Sequence, residues 1–152
     1  MNETAVTQYI IDRFDGVETA ATDGYTFFFY GSDRKLPFAT IATRDNEFDR
    51  ASHLDRPSVF RVNIGIGRDT FRSLFGGRSS RPGDEGVVGT GHDFTVLDRL
   101  LPHPVYAPQS WVCVLNPGDA TFETVRPLIA EAYDLAVVRA RRRAAAQAGD
   151  EH

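Results

Sequence analysis

The feature that most restricts the fold is a β-hairpin close to the N-terminus. Two strand-like runs, Val17–Thr22 and Tyr25–Tyr30, flank the dipeptide Asp23-Gly24. Asp-Gly between two such runs is a strong short-range hairpin signal, because the turn it forms matches the twist of paired strands. The run Tyr25–Tyr30 has aromatic side chains on both faces, so we expect this strand to be covered on both sides. An antiparallel sheet that contains this hairpin is therefore predicted.

Helices are predicted at both ends of the chain. Residues 3–14 and a long segment from about 121 to about 146 carry apolar side chains at helical spacing. Pro127 either kinks the second helix or marks its true start. Between these helices we predict further strands over 37–43, 58–66 and Trp111–Leu115, a short helix over Arg68–Phe75, and a short helix or turn over 94–101. This order of elements indicates a single α+β domain in which the terminal helices pack on the sheet.

Length and composition exclude several classes of protein. The 152 residues favour one domain with its own core, and we predict that it spans 1–146, followed by a flexible tail over 147–152. A single cysteine excludes a disulfide framework. No apolar run approaches the roughly 18 residues that span a bilayer, and the N-terminus lacks the layout of a secretory signal. We therefore expect a cytoplasmic protein, monomeric or homodimeric, that does not bind a membrane.

The C-terminal third resembles the MmcQ/YjbR-like family. Members of that family end with a Trp-containing strand, a short turn and a helix, and this arrangement matches residues 110–116 and 122–138. Ala132 stands where the family usually has Ser before Tyr. The resemblance implies a compact fold of the YjbR type, which has been described as similar to DNA-binding folds. It brings no established reaction, and a shared fold does not supply a function.

The whole chain resembles an actinobacterial family of unknown function still more closely, over nearly all of residues 3–140. The blocks that carry this resemblance are 26–30, 37–41, 60–65, Thr90-Gly91-His92-Asp93-Phe94 and Pro102-His103-Pro104-Val105-Tyr106.

The first candidate site is an anion site where the strand over 58–66 leads into the following helix. Arg61 and Asn63 project from one face of that strand, and Gly65-Ile66-Gly67 precedes the helix. Backbone N–H groups at a helix start, with arginine nearby, suit an anion. The segment 61–81 contains five Arg and one Asp. Alternatively, the glycines make a tight turn and the arginines are solvated, since the pattern matches neither a P-loop nor a dinucleotide fingerprint.

The second candidate site combines two histidine-containing loops. The adjacent His92 and Asp93 could form an acid–base pair, because imidazole titrates near neutral pH. His103 is held rigidly between two prolines, Tyr106 could donate a proton, and Trp111 could form an apolar wall. Glycines at 89 and 91 would allow the first loop to close over a ligand. Alternatively, Asp93 caps the next helix and both histidines are loop or packing residues.

Three other kinds of site have weaker support. His53 and Asp55, taken with the other histidines, match no metal-ligand spacing, so we predict no metal and no cofactor. Cys113 lies in an apolar strand, where a thiol is usually inert. The basic segment 139–143 could contact phosphates, or it could complement the dipole at a helix C-terminus. The formal net charge of −4 does not favour a broad DNA-binding face.

The sequence thus favours a protein that binds a small, partly anionic organic molecule, and it leaves open whether that molecule is transformed. Arg61 would hold the anionic group. The alternative function is a nucleic-acid-binding or regulatory accessory protein with a YjbR-type fold. The predicted catalytic residues are His92, Asp93 and His103, and the predicted ligand-binding residues are Arg61, Asn63, Tyr106 and Trp111.

Overall fold

The computed structural model describes residues 1–31, 36–76 and 92–150, with side chains described through residue 147. The elements in chain order are α1 (Glu3–Arg13), β1 (Val17–Thr22), β2 (Tyr25–Tyr30), β3 (Ala39–Ala42), β4 (Arg61–Gly65), α2 (Arg68–Phe75), β5 (Leu100–Pro102), a 3₁₀ turn (Ala107–Gln109), β6 (Trp111–Leu115) and α3 (Asp119–Asp150). The six strands form one sheet in the order β1-β2-β3-β4-β6-β5, and every neighbouring pair is antiparallel. The predicted α+β class, with an antiparallel sheet and helices at both ends of the chain, is confirmed.

The N-terminal hairpin forms as predicted. Thr22 pairs with Tyr25 across a two-residue turn, in which Asp23 and Gly24 have φ angles of 49° and 82°. Positive φ at both turn residues is the conformation that Asp-Gly tolerates and that fits twisted strands. The expectation that β2 is covered on both sides is also confirmed, because Phe28 and Phe29 point to opposite faces and both are buried.

Helices α1 and α3 cover one face of the sheet. Val6 and Ile10 of α1 join Phe122, Val125 and Ile129 of α3 in the main apolar cluster. The same cluster takes the inward side chains of the central strands, Ile41, Val62, Ile64, Val112 and Val114. Burial of these two apolar stripes against the sheet is the main source of stability, since hydrophobic transfer is the dominant favourable term in folding.

The boundaries of several elements differ from the sequence prediction. Segment 94–101 takes the turn alternative of its prediction, with turns and bends in place of a helix, and it then enters β5, a strand that was not predicted and in which Leu101 pairs with Cys113. Pro102 is tolerated because β5 lies at the edge of the sheet, where one side of the strand needs no donor. Helix α3 begins at Asp119 and continues through Pro127 to Asp150, so Pro127 does not mark its start and the helix enters the segment predicted as a tail.

The second face of the sheet is partly covered by the connection between β3 and β4. Leu54 in this connection packs on Ala42 and Leu115, while Phe94 packs on Leu101 and Cys113. The remaining part of this face borders a cavity. In the portion of the chain that the structure describes, no helix is both long enough and apolar enough to cross a membrane.

Candidate functional site

A cavity of about 590 Å³ lies on the sheet face opposite α1 and α3. This volume is within the range of small-molecule sites. Strand alternation brings the lining residues together, because cross-strand partners share a face: Thr40 lies opposite Asn63, and Phe27 lies opposite Thr40. The lining divides into a polar floor (Thr40, Asp49, Arg61, Asn63 and His103) and a wall and rim (Tyr25, Phe27, Leu36, Pro37, Asn46, Phe48, Tyr106, Gln109 and Trp111).

The floor is organised by the guanidinium group of Arg61, which is completely buried. Asp49 in the β3–β4 connection receives two parallel hydrogen bonds, from Nη1 at 3.0 Å and from Nη2. Nη1 also donates to Ser52 Oγ at 2.9 Å, and Nε donates to Asn63 Oδ1 at 2.7 Å. Asn63 Nδ2 in turn donates to Thr40 Oγ1 at 2.9 Å. A continuous hydrogen-bonded network therefore links β3, β4 and the covering connection.

Asp49 is positioned by a turn at Asn46. The Oδ1 atom of Asn46 accepts hydrogen bonds from the backbone N–H groups of Phe48 and Asp49, each at 2.8 Å. Its Nδ2 donates to the hydroxyl of Tyr25 at 2.7 Å, and that hydroxyl donates to the carbonyl of Arg44 at 3.1 Å. Burial raises the pKa of Tyr25, which favours the protonated hydroxyl that this chain of bonds requires.

His103 lies at the end of the floor, just after β5, and its side chain is almost fully buried. Its Nδ1 atom accepts hydrogen bonds from the backbone N–H groups of Val105 and Tyr106, each at 3.0 Å. Its Nε2 atom lies 3.2 Å from Arg61 Nη2 and 3.8 Å from Asp49 Oδ2. Burial, together with the Arg61 cation, holds the pKa of His103 well below its usual value. The imidazole is therefore neutral at pH 7.

Aromatic side chains form the wall and rim of the cavity. The rings of Tyr25 and Phe27 are stacked with their centroids 6.2 Å apart. The indole of Trp111 lies over Gly65, where an added Cβ would approach two ring atoms to 2.9 Å, so only glycine permits this contact. Three apolar rim residues are unusually exposed: Phe48 at 78%, Leu36 at 58% and Tyr106 at 51%.

Five of the seven predicted site residues line this one cavity. They are Arg61, Asn63, His103, Tyr106 and Trp111. The contacts of Arg61 differ from the prediction, because four of its five N–H groups are directed to Asp49, Ser52 and Asn63 rather than left for an anionic ligand. The charge of Arg61 is balanced by Asp49, so the floor is electrically neutral.

His92 and Asp93 do not line the cavity. The exposed ring of His92 contacts the rings of Phe75 and Phe94, with centroid distances of 6.3 and 6.1 Å. Asp93 Oδ1 accepts from the backbone N–H and the hydroxyl of Thr95, at 2.9 and 2.5 Å, and these bonds lower the pKa of Asp93. Asp93 thus caps a local turn, not the helix expected after it, and its carboxylate does not orient an imidazole. The glycines at 89 and 91 lie outside the described residues.

The helix start predicted as an anion site is bound by a carboxylate of the chain itself. Glu131 of α3 accepts hydrogen bonds from the backbone N–H of Gly67 at 2.7 Å and from the hydroxyl of Thr70 at 2.6 Å. The group at the N-terminus of α2 is therefore a side-chain carboxylate of the chain itself and not a bound ligand. This contact also ties α2 to α3.

Neither thiol chemistry nor metal binding has support among the described residues. Burial raises the pKa of Cys113 to about 12, which agrees with the expectation of an unreactive thiol. Across the described ranges, no three His, Cys, Asp or Glu side chains come together in a group that could hold a metal ion.

Residues Asp49, Ser52 and Asn46 were missed by the sequence analysis. They lie in a polar connection without hydrophobic periodicity, and their contact with Arg61 or Tyr25 depends on how that connection folds back on the sheet. The only local signal is an Asn followed three residues later by Asp, a pattern typical of a side-chain-capped turn.

Replacement of Arg61 should strongly destabilise the fold. We expect Arg61→Met to lower the free energy of unfolding by about 3–5 kcal/mol, because it leaves the Asp49 carboxylate buried without its partner. The double variant Arg61→Met/Asp49→Leu should recover part of this loss. Urea denaturation measures both, with exposed Arg72→Met as a control that changes stability by less than about 0.5 kcal/mol. A loss for Arg61→Met similar to that of the control would contradict this account.

His103 should make stability depend on pH below about 6.5. The unfolded chain takes up a proton on this residue that the folded protein, with its lowered pKa, does not. The free energy of unfolding should therefore fall with decreasing pH, by up to about 1.4 kcal/mol per pH unit from this group, and the contribution should be constant above that range. Arg61, Asp49 and Tyr106 face the ring and set this environment.

The measurement compares urea denaturation of the wild type and of His103→Asn between pH 7.5 and 5. The stability difference between the two proteins should narrow as the pH falls, since Asn takes up no proton in either state. Parallel stability curves over this range would show that His103 titrates alike in the folded and unfolded chains.

Removal of the Glu131 carboxylate should weaken the contact between α3 and the start of α2. Glu131→Ala should cost about 1–2 kcal/mol, because it deletes both the bond to the Gly67 N–H and the charge at the helix start. Glu123→Ala on the exposed side of the same helix, where Glu123 pairs only with Arg126 at 3.2 Å among the described contacts, is the matched control and should change stability by less than about 0.5 kcal/mol. Thermal or urea denaturation measures both variants. Equal losses of stability for Glu131→Ala and Glu123→Ala would show that the Glu131 carboxylate does not cap α2.

Comparison with known proteins provides a family without an activity. A search of curated proteins and of solved structures finds no match. A family model described as "Family of unknown function (DUF6194)" matches residues 1–145. The match covers the whole sheet, both terminal helices over most of their length and every residue of the cavity lining. The chain therefore belongs to DUF6194, a family of unknown function.

Proposed function

We propose that this protein binds a small, planar and largely apolar organic molecule in the cavity over β2, β3, β4 and β6. The observation that carries the proposal is the combination of an exposed apolar rim with a buried polar floor in one cavity. Ligand sites typically have this composition, with apolar and aromatic walls and a few fixed polar groups that orient the ligand.

The rim favours an apolar ligand. Phe48, Leu36 and Tyr106 expose large side chains around the opening, and contiguous exposed apolar surface usually marks an interaction site. The parallel rings of Tyr25 and Phe27 and the indole of Trp111 provide flat surfaces against which a planar ligand would stack.

The neutral floor changes the ligand expected from the sequence. An anionic group at Arg61 would lie beside the Asp49 carboxylate, which already accepts hydrogen bonds from both Nη1 and Nη2. Because an additional buried charge without its own partner is costly, the floor favours an uncharged polar group over an anion. The proposal concerns binding and not catalysis. In it the ligand contacts His103, Asn63, Tyr106 and Trp111.

Other predictions stay predictions. They include the resemblance to MmcQ/YjbR-like proteins, the actinobacterial origin, the cytoplasmic location and the oligomeric state. Nucleic-acid binding also stays a prediction. In the basic segment, Arg139 is partly buried, and burial lowers its pKa.

Binding can be tested with the uncharged fluorescent probe N-phenyl-1-naphthylamine. Trp111 is the only tryptophan in the chain and lines the cavity, so energy transfer from its indole to the probe reports occupation of this site. We expect saturable binding to the wild type. Thr40→Phe, which fills the floor of the cavity, should weaken binding by about tenfold or more.

Thr19→Phe provides the matched control, because Thr19 is exposed on β1 and does not line the cavity. This variant should bind the probe within about twofold of the wild type. Urea denaturation of both variants shows whether they remain folded. Absence of saturable transfer in the wild type, or undiminished binding by a folded Thr40→Phe protein, would overturn the proposal.

A further inference from the structure

We propose that the cavity floor recognises an uncharged carbonyl oxygen through two N–H donors, one on His103 Nε2 and one on Arg61 Nη2. This inference rests on the proposed binding function and specifies the chemical group that the ligand presents to the floor.

The first step is the position of the proton on His103. Its Nδ1 atom accepts two backbone hydrogen bonds, from Val105 and Tyr106 at 3.0 Å each, and therefore carries a lone pair. A neutral imidazole has one N–H, so the hydrogen-bond network assigns it to Nε2. The other tautomer would point an N–H at two backbone N–H groups. His103 is thus a donor at the side that faces the cavity floor.

The second step is the contact between His103 and Arg61. Nε2 of His103 and Nη2 of Arg61 lie 3.2 Å apart, but both atoms are donors, because a guanidinium has no acceptor. Asp49 Oδ2 accepts from Nη2, and it lies 3.8 Å from Nε2, which is too far for a hydrogen bond. Two donors therefore converge without a shared acceptor among the described residues.

The third step is the nature of the acceptor that would complete this pair. Both residues line the cavity, and an oxygen atom about 2.9 Å from each donor nitrogen would be compatible with the 3.2 Å that separates the two nitrogens. A carbonyl oxygen has two lone pairs and no proton, so it suits two donors. A hydroxyl would satisfy them less well, because its own proton would also need an acceptor.

Charge selects between a carbonyl and a carboxylate. The Arg61 cation and the Asp49 anion already neutralise each other at the floor, and His103 is uncharged at pH 7. A carboxylate would bring a second anion close to Asp49 among buried side chains, which is unfavourable because like charges repel and a buried charge without its own partner is costly. The favoured ligand class is therefore an aromatic or otherwise planar ketone, lactone, quinone or amide without a net charge.

Three small molecules that share one ring framework test the inference: 1-indanone, indane and 1-indanecarboxylate. NMR titration of the labelled protein measures their dissociation constants and shows by the shifted signals whether they occupy the cavity. We expect 1-indanone to bind about tenfold more tightly than indane, which corresponds to a modest net gain from the hydrogen bonds of its carbonyl oxygen to the two donors. It should also bind more tightly than 1-indanecarboxylate.

The variant His103→Asn isolates the Nε2–H group. The Asn side-chain oxygen can replace Nδ1 as acceptor for the backbone N–H groups of Val105 and Tyr106, but the side chain is too short to place a donor at the position of Nε2. The preference for 1-indanone over indane should fall from about tenfold to about twofold or less. His53→Asn, at an exposed position that does not line the cavity, is the matched control and should retain the preference.

Each result has a distinct meaning. Equal binding of 1-indanone and indane in the cavity, or tightest binding of the carboxylate, would overturn the carbonyl inference and leave the proposed binding function intact. Failure of all three molecules and of N-phenyl-1-naphthylamine would overturn both. Independently of any ligand, ¹⁵N NMR of the His103 ring reads the tautomer, and a proton on Nδ1 would overturn the inference even if His103→Asn failed to fold.

Discussion

The buried pairing of Arg61 with Asp49 joins the two layers that enclose the cavity. Arg61 belongs to β4, a central strand, and Asp49 belongs to the connection that crosses the outer face of the sheet. A guanidinium buried there without a partner would cost several kcal/mol, so the folded state requires the connection to close with its carboxylate inward. Ser52 and Asn63 then satisfy further donors of the same group.

The position of the cavity follows from this closure. When Asp49 reaches Arg61, the turn at Asn46 places Phe48 at the rim and bonds to the hydroxyl of Tyr25. The contacts that stabilise the connection and those that shape the site are therefore the same. The pair carries no net charge, while burial of His103 and the adjacent Arg61 guanidinium both disfavour protonation of the imidazole and lower its pKa. A neutral polar floor beneath an apolar opening results.

Much of the fold could be predicted because its signals are local. The Asp-Gly hairpin, the helical spacing in α1 and α3 and the alternation along β4 each depend on residues close in sequence. That alternation also placed Arg61 and Asn63 together on one face. The pairing of His92 with Asp93 shows the limit of such reasoning, because adjacent polar residues suggested an acid–base pair while the carboxylate bonds instead to Thr95. Likewise, the anion expected before α2 is Glu131, which no local pattern connects to Gly67.

By itself, the order of residues determined most of the segments that become helices and strands and the apolar side of the central strands, because backbone preference and side-chain alternation act over a few residues. It also identified five of the residues that line the cavity. Only the tertiary structure decided what those groups do. Pairing with Asp49 neutralises the charge of Arg61, which was expected to hold an anion, and two backbone N–H groups occupy Nδ1 of His103. Desolvation and long-range pairing control these roles, and both depend on contacts between segments far apart in the chain.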